Sequence, residues 1–303
     1  MTAAARFAKA HFAKARFLSS GAPASDVPSS TCIPEYKEAV MRFKADHDLH
    51  IHSQLSLCSG DPEQNPAAIL AYGEKNGFTT LCLTDHMWDP AVPGASGWYA
   101  AQPYERTREA LPLPRSEKVR FLFGCETDMD RHCVIGVSPA VAEDLDFIIV
   151  PTTHLHMDGF TLDGSEGAEE RAALWSSRFD ALLDADLPFE KVGVAHLTCS
   201  LIWRNRYLEV LRLISEEEYH RLFEKAAKRR IGIELNFSAR RMDEETARLT
   251  LLPYRIAKEE GCKFYLGSDA HTPAGLAEAK ENFETIIDLL DLTEDDKIPL
   301  LQA

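Results

Sequence analysis

Seven runs of β-branched, aromatic and aliphatic residues recur along this chain at the spacing of strand–helix units. They lie at 43–51, 78–84, 119–125, 146–151, 191–195, 231–236 and 263–267. Helical patterns separate several of them. Residues 66–76 follow Asn65 as a cap and open on Pro66, and 168–184 alternates as an amphipathic helix. Ser215-Glu216-Glu217-Glu218 reads as a capping box ahead of a helix to Arg230, and 243–260 and 276–290 are helical by period. Repeated strand–helix alternation dictates a parallel sheet, and seven units predict a closed or nearly closed barrel. A chain of 303 residues that is 45% hydrophobic can bury such a core as one domain.

The residues at the C-terminal end of each run narrow the function. The first ends in His50-Ile51-His52, the second in Thr84-Asp85-His86 and the third in Gly124-Cys125-Glu126. Thr153-His154-Leu155-His156, Ala195-His196 and Gly267-Ser268-Asp269-Ala270-His271 close the fourth, fifth and seventh. In a parallel barrel all C-terminal strand ends open on one face, so side chains about 220 residues apart converge. Residues two apart on a strand share a side, which lets His50 with His52, and Asp269 with His271, enter one pocket. One strand-end histidine is more often a core or surface side chain than a ligand. Six such ends are hard to obtain by packing alone, because buried imidazoles and carboxylates need compensation that a metal cluster supplies. Imidazoles with carboxylates suit Zn, Mn or Fe, and Glu126 can bridge two ions.

Charge and cysteines bound the setting. A net charge of −15 and a pI near 5.2 argue against an extended nucleic-acid or anionic-membrane surface. A small anionic substrate held by local cations is compatible with both. The seven cysteines are scattered, without a C-x-x-C pair, and read as reduced cytoplasmic thiols. No apolar run approaches the ~18 residues that span a bilayer, so a soluble protein is expected. Residues 1–40 stand apart from the barrel at 41–303: they are Ala-rich, with Arg6, Lys9, Lys14 and Arg16 and no acidic residue before Asp26. That composition fits a disordered tail or upstream start, with Met41 as an alternative start, or an organellar targeting segment.

Together, Asp48-Leu49-His50-Ile51-His52-Ser53, Thr84-Asp85-His86, Gly124-x-Glu126, His154, Ala195-His196 and Gly267-Ser268-Asp269-Ala270-His271 resemble the motifs of the polymerase and histidinol phosphatase (PHP) family, in order, over about residues 44 to 290. The resemblance implies a single-domain α/β fold, a distorted seven-stranded (β/α)7 TIM-like barrel, with two or three divalent ions at its C-terminal face. It implies a first ion on His50, His52, Glu126 and Asp269, and a second on Glu126, His154 and His196. A third would take His86 and His271 with a residue after the His-x-His. The usual Asp or His there is Cys58 in this chain, which suits zinc better than magnesium, and Asp61 is the alternative.

Such a site implies hydrolysis of a small phosphorylated metabolite by water activated between ions, with Glu126 and Asp269 central. No Ser-His-Asp elbow, phosphatase-type Cys loop or Gly-rich phosphate cradle appears in the sequence. Arg240 and Arg241, trailing an Asn-x-Ser segment as in histidinol-phosphatase-like relatives, are candidates to hold the phosphate, as are Arg204 and Arg206. Asp85 is placed to orient a ligand, to move a proton or to cap its loop, and His156 to touch substrate. His11, His47, His132 and His220 lack such partners and read as structural or exposed. The stretch 87–118, with Trp88, Trp98, Tyr99, Tyr104 and five prolines, is long for a strand–helix connection. Its aromatics either stack on a substrate ring or form a satellite core. Phosphodiester or nucleotide hydrolysis, amidohydrolase-type chemistry and a non-catalytic metal-binding module are the competing functions.

Overall fold

The computed structural model describes residues 40–239 and 242–302, so the readings made on 1–39 lie outside the described residues. Seven strands form one parallel sheet in sequence order: β1 (His47–Ile51), β2 (Thr80–Leu83), β3 (Arg120–Glu126), β4 (Phe147–Pro151), β5 (Val192–Ala195), β6 (Gly232–Leu235) and β7 (Lys263–Leu266). The expected first strand began four residues too early. Phe43 instead donates its N–H to Leu292 O, outside the barrel.

The seam between β1 and β7 makes the barrel nearly closed. Main-chain bonds cross it only near the C-terminal ends, from Asp269 N to His50 O and from His52 N to Ala270 O. Lower down, side chains of β1 take the donors of β7. His47 Nε2 accepts from Leu266 N at 3.0 Å, and Asp48 Oδ1 accepts from Ser268 N at 2.9 Å. A buried N–H without a partner is costly, so these side chains seal what the strands leave open.

Helices cover the outside: α1 (Pro66–Asn76), α2 (Gly97–Ala100), α3 (Tyr104–Thr107), α4 (Pro139–Asp144), α5 (Ala168–Asp184), α6 (Tyr207–Leu211), α7 (Glu216–Arg229), α8 (Glu244–Glu259) and α9 (Pro273–Leu290). Asn65 caps α1 as expected, accepting from Ala68 N at 3.0 Å. Ser215 makes half of a capping box at α7, since Glu218 N donates to it while the Glu218 carboxylate pairs with Arg221. α9 starts three residues before its apolar period does, because Thr272 accepts from Gly275 N and Pro273 is preorganised for the first turn. None of the helices among the described residues is long and apolar enough to cross a membrane.

Two apolar layers follow from strand alternation. The larger lies between sheet and helices, and a smaller one gathers Cys82, Leu122, Phe147, Ile149, Ala195 and Tyr265 with Ile298 from the C-terminal segment. Tyr265 fits because residue 193 is glycine: a Cβ there would stand 2.5 Å from the phenol ring.

His47 is fully buried. Its Nε2 accepts from Leu266 N–H, and Nδ1 lies 3.0 Å from Asp46 Oδ1, so the neutral Nδ1–H tautomer satisfies both. Burial, outweighing the Asp46 carboxylate, holds its pKa below 6.5. The unfolded chain thus binds the extra proton, and the stability His47 contributes is complete above about pH 6.5 and lost as pH falls through the folded value. His47→Gln, which cannot take the proton, is expected to show a shallower loss of stability below about pH 6.5 than the parent, measured by urea unfolding.

Candidate metal centre

Three groups of side chains bring potential ligand atoms within 4.8 Å of one another: His50, His52, Glu126 and Asp269; Glu126, His154 and His196; and His52, His86 and His271. The strand ends thus meet on one face, with Glu126 common to two groups and His52 common to two. Asp269 and His196, with φ of 53° and 32°, adopt left-handed backbone at the turns after β7 and β5. Such strain in non-glycine residues persists where surroundings over-determine it.

Glu126 is 1% exposed, and five imidazoles surround it. Oε2 lies 3.3 Å from His50 Nε2, 3.3 Å from His52 Nε2 and 3.1 Å from His86 Nδ1. Oε1 lies 3.3 Å from His196 Nε2 and 3.9 Å from His154 Nε2. These separations exceed the ~2.7–2.9 Å of a charge-assisted hydrogen bond. His86 Nδ1 is buried with no hydrogen bond at all.

The opposite ring nitrogens are tightly held. His50 Nδ1 lies 2.6 Å from Glu234 Oε1, His154 Nδ1 2.8 Å from Asp128 Oδ2, and His196 Nδ1 3.0 Å from Thr153 Oγ1. His52 Nδ1 meets Ser56 Oγ at 3.1 Å, and His271 Nδ1 meets Asp269 O at 2.7 Å. Five imidazoles therefore have one nitrogen engaged and direct the other toward a shared space, the arrangement that orients histidine ligands around a cation. The residues fit divalent ions. Their electrostatics agree: burial opposes ionising Glu126, yet the surrounding imidazoles hold its carboxyl well below the ordinary range. Burial likewise opposes a charge on His52, but Asp269 and Glu126 raise it to about 9.

The remaining expected residues divide. Asp85 is buried, and both its oxygens are committed: Oδ1 accepts from Ser53 N and Ser56 Oγ, Oδ2 from Ser53 Oγ. It positions the loop after β1, and through Ser56 the ring of His52. Cys58 lies on the cavity wall with His86 and His271 but outside the three groups. Asp61 also lies outside them and accepts from Glu63 N in a turn. His156 lines the cavity, its ring 5.3 Å from that of His154, and burial lowers its pKa to about 4. Arg206 stacks over Trp203 at 3.7 Å and pairs with Glu209, and neither it nor Arg204 lines the cavity. Arg240 and Arg241 lie outside the described residues.

Sequence reasoning overlooked Glu234, Asp128 and Thr153. Glu234 is fully buried, with Oε2 accepting from His196 N at 2.7 Å while Oε1 holds His50. A Cβ at Gly267 would fall 2.2 Å from Glu234 Oε1, so glycine there makes room for the carboxylate. A lone Glu inside the apolar sixth run was the available signal, since burial demands a partner. Asp128, two residues beyond Glu126, was reachable by the same alternation that paired His50 with His52. Because Glu234 fixes two histidines, Glu234→Gln is expected to weaken divalent-metal binding about 10–100-fold, measured by competition with a chelating dye.

The PHP domain model matches residues 48–238, more than half of the chain. No curated protein sequence gives a match. Among solved structures, a histidinol phosphate phosphatase from Lactococcus lactis subsp. lactis, complexed with Zn, L-histidinol and phosphate, aligns with TM-score 0.50 and 16% identity, over 84% of this chain and 98% of its own. A probable 2-pyrone-4,6-dicarboxylic acid hydrolase from Acinetobacter baumannii aligns with TM-score 0.41 and 12% identity, over 84% of this chain and 97% of its own. N-isopropylammelide isopropylaminohydrolase from Burkholderia multivorans aligns with TM-score 0.37 and 13% identity, over 83% and 70% respectively. With the motifs converging on one cluster and the domain model covering its members from His50 to His196, the chain belongs to the PHP family of metal-dependent phosphoesterases.

Proposed function

We propose that this protein is a metal-dependent phosphatase that hydrolyses a phosphomonoester of a small metabolite to the free alcohol and inorganic phosphate. The observation that carries the reading is the strand-end cluster in which His50, His52, His154, His196 and His271 each have one ring nitrogen tied down while the other is directed toward a shared space beside Glu126. His50, His52, Glu126 and Asp269 would hold one ion, and Glu126, His154 and His196 a second. When bound, such a pair supplies Lewis-acid stabilisation of phosphoryl charge and a water of lowered pKa.

The chain's own groups do the positioning. Glu234, Asp128 and Thr153 keep three imidazoles in place, so little reorganisation is required as charge shifts. Asp85 anchors the loop that carries Ser53 and Ser56 against the cluster. Among the described residues the cavity presents no Lys or Arg. Arg240 and Arg241, which come after β6, are proposed to complete the phosphate contacts. The Lactococcus protein of this fold, which binds Zn, L-histidinol and phosphate, accords with a small phosphorylated substrate.

Phosphate release from a panel of monoesters is expected to vanish on chelation and return with Zn, Mn or Fe. Glu126→Gln is expected to lower kcat at least about 100-fold while the barrel stays folded by circular dichroism. A chain that releases no phosphate from any monoester with each metal restored overturns the proposal.

A further inference from the structure

The cavity in front of the cluster measures about 730 Å³, larger than a phosphate group needs and typical of sites that enclose a small organic molecule. Away from the cluster its wall is Trp98, Met157, Phe160 and Leu201, with Ser96 and His156 as polar neighbours and Asp158 at the edge. Ser96 Oγ already accepts from Tyr99 N at 3.2 Å. A polyhydroxylated leaving group would meet this surface with most of its hydroxyls unpaired, a penalty that disfavours sugar phosphates.

The wall is also rigid. Trp88, Tyr99 and Phe160 form a buried cluster separate from the main core, against which Trp98 and Met157 pack. Trp98 contacts Tyr99 edge-on, with centroids 4.8 Å apart at 86°, and His86 at 4.9 Å and 70°. Tyr99 OH donates to Asp128 Oδ2 at 3.0 Å, the oxygen that also holds His154. The aromatic wall is thereby fixed to the candidate metal centre through Asp128 and His86.

Resting on the phosphatase reading, we infer that the alcohol portion of the substrate carries an aromatic or similarly flat apolar ring, bound against the wall that includes Trp98, Phe160 and Leu201. In the reaction a water oxygen bonds to phosphorus as the ester P–O bond breaks, and the departing alkoxide takes a proton to leave as the ring-bearing alcohol. The ring is what selects this alcohol.

Two esters with the same primary-alkoxide chemistry test the idea: 2-phenylethyl phosphate and propyl phosphate. The full chain loaded with Mn is expected to favour the first in kcat/KM by at least about tenfold, the scale of discrimination that an apolar pocket gives. Trp98→Ala and Leu201→Ala are each expected to reduce that ratio at least about threefold, and Trp98→Phe to keep most of it. Because the ratio is read within each variant, a general loss of activity cancels. Calorimetric binding of 2-phenylethylphosphonate against propylphosphonate reads the same preference without turnover. Equal treatment of the paired ligands by the parent chain overturns the inference, as does a ratio unchanged in both alanine variants. If no monoester of the panel releases phosphate with any of the metals but the ring phosphonate binds about tenfold tighter than propylphosphonate, the phosphatase reading fails and the ring pocket stands.

Discussion

Desolvation of the Glu126 carboxylate is the constraint on which the rest of this structure turns. An ionised carboxylate removed from water is unstable unless opposite charge surrounds it, and a barrel rim supplies that charge from many strands at once. Glu126 sits at the end of β3, between the histidines of β1 on one side and those after β4 and β5 on the other. No helix face or single loop presents five imidazoles to one carboxylate. The parallel barrel does so because each strand adds its own terminal residue to a common mouth.

Holding those imidazoles requires a further layer, and that layer also holds the fold. Glu234 ties β6 to β1 through His50 and to the end of β5 through His196 N. Asp128 gathers His154 and Tyr99, and the buried Arg178 guanidinium beside it donates to Thr152 O, Asp130 O and Met129 O. Asp48 and His47 close the seam that the strands leave unpaired. The same side chains therefore serve stability and ligand geometry, so removing one loosens both.

The strand-end histidines and carboxylates were legible because they obey local rules: an apolar run, then a ligand type, with a two-residue period choosing the side. Helices α1, α5, α7 and α8 were legible for the same reason, their caps and periods being contiguous. The features that escaped depend on neighbours distant in sequence. Glu234 gains its role only when β6 comes within reach of β1, a separation of 184 residues between Glu234 and His50. Of the aromatics in 87–118, Trp88 and Tyr99 form the satellite core that the sequence allows, but the third ring, Phe160, joins them only when residues 157–160 fold against that loop. The short helices α2 and α4 carry Ser96 and Ser138 caps, but four and six residues are too few to show a helical period.

The third group of ligands has a stereochemical consequence. His52 belongs both to it and to the group with His50, Glu126 and Asp269. Its Nδ1 is engaged by Ser56 Oγ, which Asp85 in turn holds, so Nε2 alone is left for an ion, 3.0 Å from Asp269 Oδ1. One imidazole lone pair binds one ion, and the two groups therefore compete for His52. An ion seated on His86 and His271 while the first position is filled needs a donor other than His52. Cys58 stands on that same wall, and the adjacent Ser59 hydroxyl donates to His271 O at 2.6 Å, which fastens the Cys58 loop beside the ligand. A thiolate there would favour a soft ion such as Zn over Mg.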